Sequence, residues 1–481
     1  MPDANPFDWL KRAQECQTSG RHPEALDAYR RFLELRPAHA GAWADLGGLL
    51  MNLDRLPEAL EACSRAMDLD PALPYARVNL ALTIMKQGRL EEARGLLLGV
   101  RRDHPERLDA RLALSECLIR LKAPTAALVE AEGALKLDPT NATAYNHLIH
   151  IHSRYARWQE LEETIARRLR VVPGCPSARM ERAFLHLLLG RLPEAWDEYE
   201  TRFEVPDLVV SVVDTLGKPR WEGQPFPDQT LLLHWEQGFG DTLMFIRYAA
   251  RAKVLGGTVV ALVQPALADL VATCQGVDQV VAHGQPLPPF DLHLPLMSLP
   301  KVFRTDLESI PGEVPYLGLP ERIPNLDWIS QVLQSSRGMT RVGYAWAGRP
   351  EYRADAERSI APELLSPLAQ LPGVAWHCFQ LPTPSALPLP SVPLGPLLSN
   401  FSDTAYALGG MDLVITVDTA LAHAAGALGV PTLLLLPFDP DWRWLLDRSD
   451  SPWYPTLRLY RQPRPGDWEA VLQSVLADLS G

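Results

Sequence analysis

The sequence predicts a mixed fold, with an N-terminal array of α-helical repeats followed by a compact α/β domain of two lobes. A proline recurs with a 34-residue step, at Pro37, Pro71, Pro105, Pro139 and Pro173. An alanine keeps the same step, at Ala25, Ala59, Ala93, Ala127 and Ala195, with Leu161 in its place in the fifth unit. Beyond residue 206, short apolar runs alternate with helical patterns, which is typical of parallel α/β sheets.

The 34-residue period is typical of tetratricopeptide repeats, in which each unit is a helix–turn–helix. About six units fit residues 7–205. A small residue recurs where the two helices of a unit must approach closely: Ala13, Gly47, Ala81, Ser115 and Ala183. One register falls at the turn between the helices, where the chain must reverse: Gly20, Asp54, Gly88, Lys122, Ala156 and Gly190.

A stack of such repeats buries a continuous core, and its concave face typically binds an extended peptide or a partner protein. We therefore expect a protein or peptide partner for the repeat half. The alternative is that the repeats dimerise the chain or brace the C-terminal domain. The inner-helix register carries no repeated asparagine: Lys11, Asp45, Asn79, Ala113, His147 and Glu181.

Composition narrows the class of protein. The net charge is −12, and residues 206–481 hold 18 basic against 28 acidic side chains. An acidic domain disfavours nucleic-acid binding, which needs a basic face. The six cysteines are scattered, which fits a reducing compartment. Neither a signal peptide nor an 18-residue apolar run is present, so we expect a soluble cytoplasmic protein without a membrane span.

The C-terminal part is expected to comprise a linker or docking segment (206–228), a first lobe (229–320), a second lobe (338–465) and a final helix (466–481). The predicted strands are 230–235, 258–263, 277–282, 291–294, 341–346, 375–380, 412–417 and 430–436. The predicted helices are 241–254, 265–273, 361–370, 404–408, 420–428 and 468–479. In parallel sheets of this kind, ligands bind beyond the carboxyl ends of the strands.

The segment 236–242, Glu-Gln-Gly-Phe-Gly-Asp-Thr, directly follows the first predicted strand. Gly238 and Gly240 allow a tight turn and close backbone approach, and the helix predicted from Asp241 offers free N–H groups. Asp241 lies at that helix N-terminus, where it serves either as a general base or as an N-cap. The sequence leaves both roles open.

A second strand-to-helix junction spans residues 416–431. Asp418 and Thr419 lie at the helix N-terminus, and His423 follows one turn later. The helix dipole and the imidazole together suit a diphosphate group. The alternative is an ordinary capped helix with a buried histidine.

Two further polar loops follow predicted strands. One carries Trp346, Gly348 and Arg349, then Arg358 and Ser359, with Gln380 at the end of the next strand. The other carries Trp442 and Arg443. Cations and aromatic rings at strand ends suit a nucleotide sugar, and the alternative is core and surface packing.

These segments resemble, in order, those of bacterial proteins that join tetratricopeptide repeats to a glycosyltransferase family 9 (heptosyltransferase-like) domain. The matching segments are EQGFGDT, WAG with RSI, DTALAHAAGALGVPT, DWRWLL with SPWYP, and the repeat end 195–202. The resemblance implies a GT-B fold of two Rossmann-like lobes. It implies Asp241 as the base, with Asp418, Thr419 and His423 on the donor phosphates. Members with attached repeats are implicated in protein glycosylation, including flagellin modification.

The lysines that heptosyltransferases use near the phosphates have no clear match, since residues 206–481 contain only Lys218, Lys253 and Lys301. Arginines are expected to replace them. The resulting donor-binding set is Gly238, Gly240, Thr242, Trp346, Gly348, Arg349, Arg358, Ser359, Gln380, Asp418, Thr419, His423, Trp442 and Arg443.

The resulting hypothesis is a metal-independent, inverting glycosyltransferase. It moves a sugar from a nucleotide-sugar co-substrate, with no other cofactor, to a hydroxyl of a protein acceptor bound by the repeats. One alternative is a repeat adaptor with a degenerate, non-catalytic domain, and another is a lipid-linked or polysaccharide acceptor. A homo-oligomer is compatible with each.

Overall fold

Twelve helices occupy the first part of the chain in the computed structural model, which describes residues 5–205, 217–349 and 355–480. They are α1 (Pro6–Thr18), α2 (His22–Leu35), α3 (Ala40–Asn52), α4 (Leu56–Leu69), α5 (Pro74–Lys86), α6 (Leu90–Asp103), α7 (Leu108–Arg120), α8 (Pro124–Leu137), α9 (Ala142–Arg154), α10 (Trp158–Val171), α11 (Pro176–Leu188) and α12 (Leu192–Tyr199). They form consecutive helix pairs with the predicted 34-residue period.

The turn within each pair has the left-handed backbone that the register predicts. The φ angle is positive at all six turn positions: Gly20, Asp54, Gly88, Lys122, Ala156 and Gly190. Close packing explains the small residue in the first helix of five of the six pairs, while Ile149 takes this position in the fifth. A Cβ at Gly47 would collide with the Cys63 Sγ atom, and Ala81 and Ser115 are fully buried.

The chain divides into two units, Met1–Ser153 with Arg157–Pro173, and Arg154–Ala156 with Gly174–Gly481. The sixth helix pair, α11 and α12, therefore belongs to the same unit as the α/β domain. The predicted linker at 206–228 falls partly on residues 206–216, which lie outside the described residues.

The second unit contains two parallel sheets. The strands are β1 (Thr230–His234), β2 (Thr258–Val263), β3 (Gln279–Ala282), β4 (Leu292–Pro295), β5 (Thr340–Ala345), β6 (Val374–Cys378), β7 (Ser391–Pro393), β8 (Leu413–Val417), β9 (Thr432–Leu436) and β10 (Leu457–Arg461). The first sheet has the order β3-β2-β1-β4, and the second has the order β10-β9-β8-β5-β6-β7. Every pairing between neighbouring strands is parallel.

Among the described residues of this unit, nine helices connect or follow these strands. They are α13 (Phe239–Phe245), α14 (Ala249–Val254), α15 (Ala268–Val271), α16 (Leu299–Val302), α17 (Leu326–Ser335), α18 (Asp355–Arg358), α19 (Phe401–Gly409), α20 (Ala420–Ala427) and α21 (Trp468–Ser480). Short 3-10 turns complete several of them. No helix within the described ranges combines the length and apolar character that a membrane crossing requires.

Several element predictions were wrong in detail. The predicted helix 241–254 begins two residues earlier and is divided by the 3-10 turn Ile246–Tyr248. The predicted helix 361–370 is a 3-10 helix, Pro362–Gln370, in which Pro367 removes a backbone donor. The sequence prediction missed α17, β7 and β10. In β10, Arg458 and Arg461 interrupt the apolar run that usually indicates a buried strand.

Candidate functional site

The first loop follows β1 and leads into α13. The Asp241 carboxylate accepts a hydrogen bond from the Gly238 N–H at 2.8 Å, so Asp241 caps the helix from its third position. Its other oxygen accepts a hydrogen bond from Arg443 Nη2 at 2.5 Å. Burial raises the pKa of Asp241, and the Arg443 guanidinium opposes that rise. The cap is therefore observed, and the role of Asp241 as a base stays a prediction.

Arg443 connects the two sheets at this point. It lies in the 3-10 turn Trp442–Trp444, beyond β9 of the second sheet, whereas Asp241 follows β1 of the first. Its Nη1 donates to Asp441 at 2.8 Å, so one guanidinium binds two carboxylates. The Arg443 side chain is only 9% exposed, and a charge pair so shielded from water interacts more strongly than a surface pair.

His423 lies on α20, directly against the first loop. A Cβ at Gly240 would lie 2.7 Å from His423 Cδ2, so only a glycine fits this approach. The His423 Nδ1 atom is 2.8 Å from the Tyr454 hydroxyl. Burial, assisted by nearby guanidinium groups including Arg443, holds the pKa of His423 well below its usual value. The imidazole is therefore neutral near pH 7 and would bind a phosphate as an N–H donor rather than as a cation.

Asp418 and Thr419 lie at the N-terminus of α20, as the sequence predicts. The Asp418 Oδ1 atom is 4.0 Å from His423 Nε2. Burial and the neighbouring Asp441 carboxylate raise the pKa of Asp418 to about 6. Thr419 is the N-cap residue, yet its side chain makes no capping hydrogen bond. The first N–H groups of α20 therefore have no side-chain acceptor from the N-cap residue.

The loop after β5 is fixed by Gln380. The Gln380 Oε1 atom accepts hydrogen bonds from the N–H groups of Trp346 and Ala347 at 3.1 and 3.0 Å. Its Nε2 donates to the carbonyls of Ala347 and Leu381. The Gln380 amide is therefore engaged with backbone groups and holds the loop, and its contact with the donor stays a prediction.

Gly348 and Ser359 join the two halves of this polar loop. The Gly348 N–H donates to Ser359 Oγ at 3.3 Å, and Ser359 Oγ donates to Asp355 at 3.0 Å. Arg358 Nε also donates to Asp355, at 3.1 Å. A Cβ at Gly348 would collide with both the Asp355 carboxylate and the Arg358 guanidinium. Only glycine at position 348 therefore leaves room for the Arg358 side chain.

Arg349 extends from the second sheet toward the first loop. Its guanidinium lies 5.5 Å from the centre of the Phe239 ring, in a cation–π contact. Phe239 in turn packs edge-on against Phe401, at 5.3 Å between ring centres. Arg349 is exposed, and it forms no ion pair with a carboxylate of the described residues. Of the three predicted arginines, it is the one with its charge most available to a ligand.

Two predicted ligand residues lie in packing positions instead. Trp442 is 4% exposed and contacts an aromatic cluster that includes Phe245 and Trp453. Thr242 is 1% exposed, and its hydroxyl donates to Gln264 at 2.9 Å. Both side chains are buried among protein groups, and their contact with the donor stays a prediction.

A cavity of about 410 Å³ opens beside the strand ends of β5 and β6. Its lining is mostly apolar, with one carboxylate and one amide: Trp346, Pro362, Glu363, Gln380, Pro382, Pro384, Ala386, Leu387 and Pro388. A volume of this size suits a nucleoside.

Sequence reasoning missed a buried arginine that supports His423. Arg247 Nη2 donates to the Tyr316 hydroxyl at 2.8 Å, and its guanidinium lies 4.5 Å from the centre of the Tyr454 ring. It also donates to the Trp453 carbonyl at 2.5 Å. The sequence does not indicate this role for Arg247, because its partners Tyr316 and Trp453 lie about 70 and 200 positions further along the chain.

Within the first unit, some side chains at the predicted inner-helix positions form hydrogen bonds between neighbouring helix pairs. Asn79 Nδ2 donates to the Ala44 carbonyl at 3.0 Å, and Gln14 donates to Asp45 at 3.3 Å. Burial raises the pKa of Asp45 above its usual value. These side chains link neighbouring helix pairs, so a bound peptide would meet a groove with part of its polar surface already engaged.

Comparison with known proteins supports the repeat assignment. Residues 10–74 and 78–142 match the tetratricopeptide repeat family. The chain is 26% identical to protein FlbA of Caulobacter vibrioides over 509 aligned residues, which cover 98% of this chain and 83% of FlbA. The prediction of N-terminal tetratricopeptide repeats is therefore confirmed.

Solved structures similar to part of this chain include two tetratricopeptide repeat proteins and PilF. One is from Parabacteroides merdae, at 17% identity over 41% of this chain and 79% of that chain, with a TM-score of 0.35. Another is PilF of Pseudomonas aeruginosa, at 18% identity over 41% and 89%, with a TM-score of 0.36. A third is TTC0263 of Thermus thermophilus, at 20% identity over 38% and 100%, with a TM-score of 0.34.

Proposed function

We propose that the second unit is a glycosyltransferase of GT-B type that transfers a sugar from a nucleotide sugar to a hydroxyl of a protein acceptor. The observation that carries the proposal is the approach of Gly240 to His423, with Asp241 paired to Arg443 beside it. Two loops from two parallel sheets thus meet at the strand ends, where such sheets bind ligands. The resemblance to repeat-linked family 9 transferases points to the same loops.

In this proposal, the donor diphosphate lies at the N-terminus of α20, near Thr419 and the neutral His423. Arg349 supplies the positive charge that the family's lysines supply elsewhere, and the cavity beside Trp346 takes the nucleoside. Helix N-terminal N–H groups and a guanidinium are suitable donors for a phosphate that gains charge as the bond breaks.

Asp241 would remove the proton from the acceptor hydroxyl as its oxygen attacks the anomeric carbon. The bond to the diphosphate breaks at the same time, and the nucleoside diphosphate leaves with the bonding electron pair. We expect donor phosphates to compete for the Arg443 guanidinium, which frees one Asp241 oxygen for the proton. The raised pKa of Asp241, caused by burial, suits a group that must accept a proton.

The acceptor is assigned to the repeats because such arrays commonly bind peptides or proteins. By resemblance, a flagellin-like protein is the first acceptor to test. A lipid-linked or polysaccharide acceptor would need no repeat groove.

A non-catalytic adaptor is the second candidate, and one observation favours it. Both carboxylate oxygens of Asp241 already accept hydrogen bonds, from Gly238 and Arg443. An aspartate whose two oxygens are both engaged can have a purely structural role, as a helix cap and an ion-pair partner. In that case the repeats would bind their partner without any transfer.

Release of nucleoside diphosphate from a panel of nucleotide sugars, with and without candidate acceptor protein, tests the proposal. We expect release with one donor class and a loss of at least about 100-fold in Asp241→Asn. Asp54→Asn, at an exposed turn of the repeats, is the control. Partner binding without release from any donor would favour the adaptor.

A further inference from the structure

The last helix pair of the repeats carries a buried arginine that contacts the first loop. Arg202 follows α12 and is fully buried. Its guanidinium donates to both oxygens of Glu236, at 2.9 Å each. Glu236 opens the 236–242 loop and is itself only 2% exposed. A bidentate pair of this kind fixes the orientation of both side chains.

Further contacts embed this ion pair among other groups of the second unit. Glu236 also accepts the Met297 N–H at 3.2 Å, and Arg202 donates to Ser298 Oγ at 2.7 Å. Arg202 Nη1 donates to Glu200 at 2.6 Å. The start of the first loop is therefore held between the end of α12 and the turn after β4.

The same helix pair also contacts the turn that carries Arg443. The rings of Trp196 and Tyr199 each lie 6.1 Å from the Trp442 ring, in edge-on contacts. The Trp196 indole N–H donates to the Thr305 carbonyl at 2.7 Å. Trp442 directly precedes Arg443, so α12 and the 3-10 turn that follows it together contact both loops that supply the Asp241–Arg443 pair.

We infer that the sixth helix pair is a positioning element of the candidate site, with Arg202 as the positioning residue that sets the 236–242 loop against the turn carrying Arg443. The distance between Asp241 and Arg443 depends on both loops; α12 contacts the turn carrying Arg443, and Arg202, just beyond α12, contacts the 236–242 loop. Without its arginine, Glu236 would be a buried carboxylate lacking its bidentate partner, and the loop would have to move to solvate it. This inference rests on the proposed function only in treating the site as active. The order of the two loops themselves can be measured without any substrate.

Hydrogen–deuterium exchange of the full-length protein, followed by mass spectrometry, tests the inference. The variants are Arg202→Lys, which retains charge but loses the bidentate geometry, and Glu236→Gln, which retains shape but loses charge. Glu130→Gln is the matched control, since Glu130 is also buried and paired with two arginines, Arg101 and Arg111, in the first unit.

We expect amides of 236–245 and 441–445 to exchange about tenfold faster in both variants, while α3 exchanges as in the wild type. Glu130→Gln should leave both loops unchanged. Unchanged exchange of the loops in both variants would overturn the inference, and so would an equal acceleration throughout the second unit.

Nucleotide binding supplies a separate readout on the same samples. If the wild type binds a nucleotide, we expect Arg202→Lys to weaken its affinity about tenfold or more without unfolding the protein. If the wild type binds none, the proposed function fails, and the exchange result still decides the role of Arg202.

Discussion

The Asp241 carboxylate accepts a 2.5 Å hydrogen bond from the guanidinium of Arg443, which lies 202 positions further along the chain. Asp241 belongs to the helix after β1 of the first sheet, and Arg443 to the turn beyond β9 of the second. The ion pair makes the candidate site one structure shared by both sheets. A change on either loop is therefore expected to affect the other.

Replacing Gly240 with alanine should separate the two loops. The added Cβ would lie 2.7 Å from His423 Cδ2, which is closer than such atoms approach in proteins. We expect the free energy of unfolding to fall by about 1–3 kcal/mol because one element must shift. Nucleotide affinity should fall as well. Chemical denaturation and calorimetric titration measure the two effects.

Gly95→Ala is the matched control, because a Cβ at this position in α6 meets no atom within 4 Å. We expect it to be neutral or to stabilise by up to about 1 kcal/mol, since alanine favours a helix more than glycine does. Wild-type stability and affinity in Gly240→Ala would show that the two loops do not meet as described.

Asp418 should make stability depend on pH. Burial and the Asp441 carboxylate raise its pKa to about 6, whereas an unfolded aspartate titrates near 3.9. The folded state therefore loses stability as pH rises through about 4 to 6, because a buried carboxylate must ionise. Asp418→Asn cannot ionise, so it should raise the melting temperature more at about pH 7.5 than at about pH 5.

Thermal unfolding monitored at both pH values measures this difference. Asp412→Asn is the control, because that carboxylate is 52% exposed, and its effect should be the same at both pH values. A melting-temperature change in Asp418→Asn that does not vary with pH would refute the buried ionisation.

Gln380→Leu should release the loop after β5. The variant retains the bulk of the side chain but loses the acceptor for the N–H groups of Trp346 and Ala347. We expect nucleotide affinity to fall about tenfold or more, because the cavity wall is no longer fixed and two amides lose their partner. Titration calorimetry measures the loss. Gln275→Leu, at an exposed position, should bind as the wild type does, and equal affinity in Gln380→Leu would separate this loop from the nucleotide site.

The repeat turns predict opposite effects for two substitutions. Lys122 has a φ of 57°, a left-handed conformation that costs energy for any residue with a Cβ. Lys122→Gly should therefore stabilise the first unit by about 0.5–1 kcal/mol. Gly88 has a φ of 82°, and Gly88→Ala should destabilise it by about 1–2 kcal/mol. Urea unfolding followed by circular dichroism compares the two, and effects of the same sign would contradict the turn geometry.

Much of the fold follows from local sequence patterns. The repeat period, its small residues and its turns are fixed by neighbours within about 34 positions, so the sequence alone predicts them. The strands of both sheets are mostly apolar runs and were located to within a few residues. The strands that were missed are β7, which has three residues, and β10, in which Arg458 and Arg461 interrupt the apolar run. Helix α17 was also missed, although its buried Ile329 and Leu333 have helical spacing.

The candidate site was predicted less completely. Asp241, Asp418, Thr419 and His423 come together because strand ends and helix starts meet at one edge of each sheet. The pairing of Asp241 with Arg443, and of Glu236 with Arg202, joins residues far apart along the chain. No local pattern specifies such a partner. For the same reason, the sequence alone did not reveal that Trp442 packs against an aromatic cluster.

The central claim is that the loops bearing Asp241 and His423 form one nucleotide-sugar site. A thermal-shift and calorimetric screen of the full-length protein against nucleoside mono- and diphosphates and nucleotide sugars tests it most directly. His423→Ala is the test variant, and His104→Ala, in the repeats, is the control. We predict that one nucleotide class binds the wild type and His104→Ala equally and binds His423→Ala at least about tenfold more weakly. Absence of binding by every nucleotide, or equal affinity in His423→Ala, would contradict the claim and favour the adaptor function.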